Sequence, residues 1–529
     1  MKLNISFYIV LTLGIMSCNK GIALPDSNNN TDTTNTDITE LIININEKNQ
    51  TIDGFAASDC WSGNYIGRDW EESQRAAIAD LLFSQEIKNN NPVGIGLSMW
   101  RSNLGAGTAN QGEASGIEDK SRRAECYLNE DGTYDWTLAA GQQYFLQQAI
   151  DRGCESIVLF SNSAPVWYTK NGKGYSNEGY SANLQDQYYD DFASYMTKVA
   201  MHYEENGIPI KYISPVNEPQ YKWNNNSQEG SGWTNSQIAK LTKELNTSLE
   251  QSSLDTKILL SEANDYRALY EKTSNENSSD VINEFFDENS DNYIGNLSHV
   301  ANIVGGHSYW TDSNWDQLGS IRRALWSAAS AKNLKVYQTE WSMLGDGYNG
   351  SHFKGYDNSS YMDIAMYLSQ VIHNDLAYAN VSSWSYWTSM DVEKWNHKDR
   401  FLLVSLTPAG GVYGDISQSG THVARKTLWV LGNYSRFIRP GYKRITIDTP
   451  LDKDCFGTAY ISPDENTFVV VMTNFNSQTK KFSPSINNFN ASSVYRYITS
   501  ENFDLKQTVS NQSEWSIPSN SVCTFVLKK

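Results

Sequence analysis

Short runs rich in β-branched and aromatic residues recur along the chain, separated by stretches in which apolar residues return every three or four positions. The runs are TIDGFAAS (from Thr51), IGLSMWRSNLG (from Ile95), ESIVLFSNSAP (from Glu155), IKYISPVNEP (from Ile210), KILLSEA (from Lys257), ANIVGGHSYW (from Ala301), KVYQTEW (from Lys335) and VSSWSYWT (from Val381). The gaps hold amphipathic helices such as Glu72–Phe83, Ala139–Arg152 and Ser320–Ala331. Eight strands alternating with helices predict an α/β fold, a (β/α)8 TIM barrel over residues 51–434. An open doubly wound sheet shares the alternation, and the number of strands favours the barrel.

Beyond Tyr434 the helical spacing stops. Arg444–Asp448, Gly457–Ile461, Thr467–Asn474, Ser493–Ile498 and Val522–Leu527 read as strands between Asn, Ser and Pro turns, which predicts an antiparallel β-sandwich docked on the barrel's side. The isolated strand Leu41–Ile45 has no sheet of its own before the barrel, so the second domain is expected to combine residues 40–50 with 435–529.

The N-terminal end has another character. Lys2 precedes an apolar run, Ile5–Met16, too short to span a membrane as a mature helix. The run ends in Ile15-Met16-Ser17-Cys18, which resembles a bacterial lipobox; it implies a signal peptide over residues 1–17 and lipidation at Cys18. Residues 18–39, polar and rich in Asn and Thr, then read as a disordered tether. The expected location is exported and lipid-anchored to a bacterial cell membrane, facing the periplasm or the cell surface. Five further cysteines (Cys60, Cys126, Cys154, Cys455 and Cys523) follow no zinc-ligand spacing. They read as buried thiols, with a Cys60–Cys126 bridge as the alternative.

Composition narrows the partners. A formal net charge of −18 argues against nucleic acid or an anionic membrane surface. Aromatic residues make up 12% of the chain, with 16 Trp and 31 Tyr, enough to line an open cleft where sugar rings stack.

The chemistry-bearing residues fall at strand ends. In IKYISPVNEP two prolines end the strand, and Glu218 stands just past it with Asn217 directly before. Glu340 ends the seventh run as Glu218 ends the fourth, so the two carboxyls are expected to face each other across the barrel mouth. Such a pair suits glycosidic cleavage, one carboxyl giving a proton and the other attacking or activating water. No metal and no other cofactor is required. Glu262, also at a strand end, is the main competitor and ranks lower because it lacks the preceding Asn and the flanking Pro.

The runs TIDGFAASDCW, LSMWRSNLGAG, SNSAPVWYTKNG, SPVNEP, GGHSYW and QTEWSMLG together resemble glycoside hydrolase family 30 over nearly all of the chain past the tether. That resemblance implies a retaining enzyme with Glu218 as acid/base and Glu340 as nucleophile. It places Asn217 on the 2-OH of the sugar, Arg101 beside the nucleophile, His307 and Tyr309 in the same cavity, and Trp387 as its floor. Trp341 and Trp167 join the expected substrate contacts, and Tyr168, Tyr221, Trp223 and Trp233 are further candidates for stacking. The GFAASDCW and MWRSNLGAG runs resemble the endo-β-1,6-galactanase-like branch, which makes a β-linked glycan the expected partner. A xylanase, a β-1,6-glucanase, an exo-acting β-galactosidase or β-fucosidase, and a catalytically silent glycan-binding lipoprotein are the alternatives.

Overall fold

In a computed structural model, which describes residues 38–345, 353, 355, 357–395 and 397–529, the eight runs form one parallel sheet. Its strands are β2 (Gly54–Ala57), β3 (Met99–Asn103), β4 (Ser156–Phe160), β5 (Ile210–Ser214), β6 (Lys257–Ala263), β7 (Val300–His307), β8 (Lys335–Trp341) and β9 (Val381–Tyr386), following β1 (Ile38–Thr51), which lies elsewhere. Neighbours pair in chain order from β3 to β9, and β2 adds to β9. The last seam, between β2 and β3, is closed without a full ladder. Ser98 N–H donates to the Phe55 carbonyl at 3.2 Å, and Asp59 N–H to that of Arg101 at 3.1 Å. The cleavage sequence and Cys18 lie outside the described residues.

Inside the barrel, Ala56, Met99, Val158, Tyr212, Leu259, Ala301, Ile303 and Tyr337 form a separate apolar layer. The Tyr212 and Tyr337 hydroxyls meet at 3.2 Å. This layer fills the barrel interior, so the residues beyond it toward the strands' C-terminal ends line a cup and not a pore.

Nine strands build the second sheet, in one continuous order and antiparallel except where β1 runs parallel to Lys480–Asn487. β1 is clamped between Lys443–Ile447 and Lys480–Asn487, with Leu41, Ile43 and Ile45 buried and Ile42 exposed. The sheet curls on itself, and Trp515 of one edge stacks on Phe525 at 4.2 Å. Period-two alternation then serves two cores. On Thr467–Asn474, Phe468, Val470 and Met472 point into the curled sheet, whereas Val469 and Val471 join the barrel's core.

Three of these strands were not expected from the sequence: Lys480–Asn487, Phe503–Thr508 and Trp515–Ile517. The first contains Pro484, which argues against a strand interior, and the second is largely polar. All five described cysteines are buried and free, so the Cys60–Cys126 bridge is not formed. None of the described helices is long and apolar enough to cross a membrane.

Candidate active site

Strand phase decides which residues reach the cup. Met99 and Arg101 share the inward phase of β3, as Ile303 and His307 do on β7. On β8 the inward Tyr337 would put Thr339, not Glu340, inside. The pairing with β7 slips between Gln338 and Glu340, where Gln338 opposes Gly306 and Glu340 opposes His307. This bulge inserts one residue and turns Glu340 inward. A similar slip on β6, between Leu260 and Ala263, brings in Glu262.

Glu218 and Glu262 both adopt left-handed backbone, at φ 45° and 51°. Such a conformation is costly for a non-glycine residue and persists only where surroundings enforce it. Here Glu218 N–H donates to the Glu262 carbonyl at 2.9 Å, and the Glu218 carbonyl accepts from Tyr221 N–H at 3.0 Å. Trp223 Nε1 donates to the same carbonyl at 3.2 Å.

The side chains form one charged network. Arg101, 2% exposed, donates from Nη1 to Glu340 Oε2 at 2.7 Å, and from Nη2 to Asn217 Oδ1 at 2.9 Å and Glu262 Oε2 at 3.1 Å. Its guanidinium lies 3.5 Å from the Phe160 ring centre. Because Arg101 takes the amide oxygen of Asn217, the amide nitrogen is what Asn217 can offer a substrate hydroxyl. Tyr309 donates its hydroxyl to Glu340 Oε1 at 3.1 Å. His307 places Nδ1 at 2.9 Å from Glu218 Oε1 and Nε2 at 3.0 Å from Glu262 Oε2.

Electrostatics follow from this packing. Burial opposes a charge on His307, but the carboxylates of Glu340, Glu218 and Glu262 outweigh it and lift its pKa to about 10. Burial likewise opposes ionisation of Glu262, yet Arg101 and His307 bring it down to about 2. For Glu340, burial raises the pKa; His307 and Arg101 pull the other way, and Glu218 and Glu262 add to the rise. Three carboxyls, Glu218, Glu262 and Glu340, thus face Arg101 and His307 in one cup.

Glu218, His307 and Glu340 each offer an atom within 4.8 Å of the others, the one such cluster of possible metal ligands among the described residues. Both His307 nitrogens already face carboxylates, at 2.9 and 3.0 Å.

Seven of the expected residues thus meet: Glu218, Glu340, Asn217, Arg101, His307, Tyr309 and Trp387. Trp387 is half-buried, edge-on to Trp61 at 5.2 Å and 5.9 Å from the Arg101 guanidinium. Two lie elsewhere. Trp341, next to the inward Glu340, points outward; it is 1% exposed, and its Nε1 donates to Asp312 at 3.0 Å. Trp167 donates Nε1 to the Leu128 carbonyl at 3.0 Å and lines a separate shallow hollow with Asn110 and Glu130. Trp223 and Trp233 are buried as packing, Tyr168 stacks on Tyr188 at 4.6 Å, and Tyr221 remains 44% exposed. Sequence reasoning gave no role to Trp61 or Phe160, and it treated Glu262 as a rival to Glu218; only the barrel's closure shows what these residues touch.

A parallel barrel with carboxyls at the ends of β5 and β8 is the arrangement of an O-glycosyl hydrolase, and the comparisons agree. The sequence model of O-Glycosyl hydrolase family 30 matches residues 38–403, and the chain belongs to that family. It is 24% identical over 426 residues to an endo-beta-1,6-galactanase of Hypocrea rufa, covering 77% of this chain and 76% of that protein. It is also 24% identical over 348 residues to the glucuronoxylanase XynC of Bacillus subtilis, covering 65% of each. Among solved structures, a conserved exported protein from Bacteroides fragilis superposes with a TM-score of 0.86 at 31% identity, over 92% of this chain and 100% of that one. The catalytic domain of a xylanase from Talaromyces cellulolyticus shares the fold with a TM-score of 0.66 at 21% identity, over 93% of this chain and 100% of that one.

Proposed function

We propose that the protein is a retaining β-glycosidase in which Glu340 is the nucleophile and Glu218 the acid/base. The observation that carries this reading is the separation of the two carboxyls, whose nearest ligand-type oxygens lie within 4.8 Å. Retaining enzymes keep their carboxyls about 5–5.5 Å apart, whereas inverting enzymes leave about 6.5–9.5 Å for a water. Glu340 receives hydrogen bonds from Arg101 and Tyr309, donors that favour its anionic form. It attacks the anomeric carbon while Glu218 protonates the leaving oxygen. Glu218 then takes a proton from the water that releases the sugar from Glu340. Asn217, its oxygen held by Arg101, turns its amide nitrogen to the 2-OH, and Trp387 with Trp61 forms an apolar wall beside the same sugar.

The substrate we favour is a β-linked plant polysaccharide, with endo-β-1,6-galactanase activity first. Similarity to the Hypocrea rufa enzyme and the exposed Tyr221 beside the cup support it. Export with a lipid on Cys18 is part of the same proposal. The apolar leader supports it, as does likeness to an exported Bacteroides protein.

The test is product release from β-1,6-galactan, β-1,6-glucan, glucuronoxylan and aryl β-glycosides by wild type, Glu340→Gln and Glu218→Gln. Hydrolysis of one polymer, abolished in Glu340→Gln and reduced on the order of 10²–10⁴-fold in Glu218→Gln, is the expected result. Glu218→Gln should regain its first step on aryl glycosides whose leaving group needs no protonation. Binding of one glycan without turnover by any of the three proteins would replace the enzyme reading with a glycan-binding lipoprotein.

A further inference from the structure

The two-carboxyl chemistry makes no use of Glu262, yet Glu262 is fully buried in the cup, at 0% exposure like His307. One of its oxygens accepts from both Arg101 and His307, at 3.1 and 3.0 Å, and its carbonyl holds the Glu218 amide at 2.9 Å. On the far side of the imidazole, Nδ1 lies 2.9 Å from Glu218 Oε1 and 3.7 Å from Glu340 Oε1. The groups around this ring are the carboxyls of Glu218, Glu262 and Glu340, the Tyr309 ring edge-on at 5.6 Å, and Arg101 beyond Glu262. A neutral imidazole has one donor and one acceptor; Glu262, ion-paired to Arg101, takes a donor at Nε2, and a negative charge on either carboxyl beside Nδ1 takes a second donor there, so the ring must donate from both nitrogens.

We propose that Glu262 is a positioning residue that holds His307 with both ring nitrogens donating, aimed between Glu218 and Glu340, so that the Nδ1–H bond shifts toward whichever carries the charge. The proposal rests on the retaining reading and adds a part to it. When Glu340 becomes the glycosyl ester it loses its charge, and Glu218, having given its proton to the leaving oxygen, gains one. The Nδ1–H bond is then drawn to Glu218. As water attacks the ester, Glu218 takes the water's proton, Glu340 leaves as carboxylate, and the bond is drawn back. His307 transfers no proton; it supplies a fixed positive charge between two sites that exchange a negative one. Arg101 cannot do this, because its fork is committed to Glu340, Glu262 and Asn217 and does not touch Glu218. The high pKa of His307, about 10, accords with the geometry.

Glu262→Gln keeps the shape and removes the charge. With ¹⁵N-labelled histidine, and the His307 signals assigned by their loss in His307→Gln, wild type should show both His307 nitrogens protonated at pH 8. Glu262→Gln should show a neutral ring at that pH. Its kcat should fall on the order of 10²-fold with little change in KM, and the alkaline limb of its pH profile should move to lower pH. A neutral His307 in the wild type at pH 7 would overturn the proposal. So would a Glu262→Gln protein that keeps the imidazolium signal and the wild-type pH limbs. The NMR measurement needs no turnover: a wild-type protein without glycosidase activity but with a Glu262-dependent imidazolium would remove the retaining reading and leave Glu262's hold on His307 standing.

Discussion

At the scale of single residues, one buried cation of the cup, Arg101, serves two buried anions, Glu340 and Glu262. Removing a partner from such a set costs more than the set contributes, because the remaining charges stay desolvated. Arg101→Met should therefore destabilise the protein by about 3–5 kcal/mol, measured by urea unfolding of the purified protein. In whatever fraction folds, Glu340 loses a cation that opposes its raised pKa, so the acidic limb of the activity profile should move to higher pH. Arg101→Lys should recover part of the stability, but not the kcat, since an ammonium cannot reproduce a planar fork spanning Glu340, Glu262 and Asn217. The residues of this cup were unequally legible. Glu218 and Glu340 stood out because each ends a recognisable strand within a distinctive motif. Glu262 ends a strand too, but its meaning depends on Arg101 and His307, which lie 161 and 45 positions away.

At the scale of elements, the strands were legible because alternation and flanking turns mark them, but their phase was not. Trp341 shows why. Tyr337 faces the barrel interior, so strict alternation would place Glu340 outside and Trp341 on the next outward-to-inward step. The bulge reverses this, and nothing local in KVYQTEW announces it. Helix packing was hidden for a related reason. The helix α1 (Ser62–Asp69) crosses α2 (Ala140–Asp151) backbone to backbone at Gly67 and Gly141. A Cβ on Gly141 would stand 1.8 Å from the Asn64 carbonyl oxygen, and one on Gly67 would stand 2.3 Å from the Gly141 oxygen. Both obstacles are backbone and cannot rotate aside. Gly141→Ala should cost about 1–3 kcal/mol through overpacking, read as a lower melting temperature. Trp61 immediately precedes α1 and meets Trp387 at the cup, so KM for the hydrolysed glycan should rise as well.

At the scale of the whole molecule, the second sheet could be seen only in outline. β1 borrows its partners from positions some 400 residues later, and Lys480–Asn487 becomes a strand because β1 lies against it, despite Pro484. The long-range arrangement also buries several ionisable groups, and these set how stability depends on pH. Burial raises Asp59 and Asp312 to about 6, Glu229 to about 7 and Asp399 to about 8. A raised acid binds more protons folded than unfolded, so its contribution is full below the unfolded value and is lost as pH rises through the folded one. His307, raised to about 10, acts in the same direction, losing its contribution between its ordinary value and about 10. Two groups act oppositely. Burial depresses His373 to about 3, so its contribution is lost as pH falls from its ordinary value of 6.5 toward 3; Glu262, held at about 2, behaves likewise below the usual carboxylate range. The melting temperature should therefore be highest at about pH 4, where the raised acids are still protonated in both states, and fall by several degrees toward pH 8–9. The net charge of −18 adds long-range repulsion on that alkaline side, and salt screens it. Calorimetry across pH 4–9 at low and high salt separates the two causes. Salt should restore the part due to net charge and leave the part due to buried acids, whereas a melting temperature fully recovered by salt at pH 8 would assign the loss to surface repulsion alone.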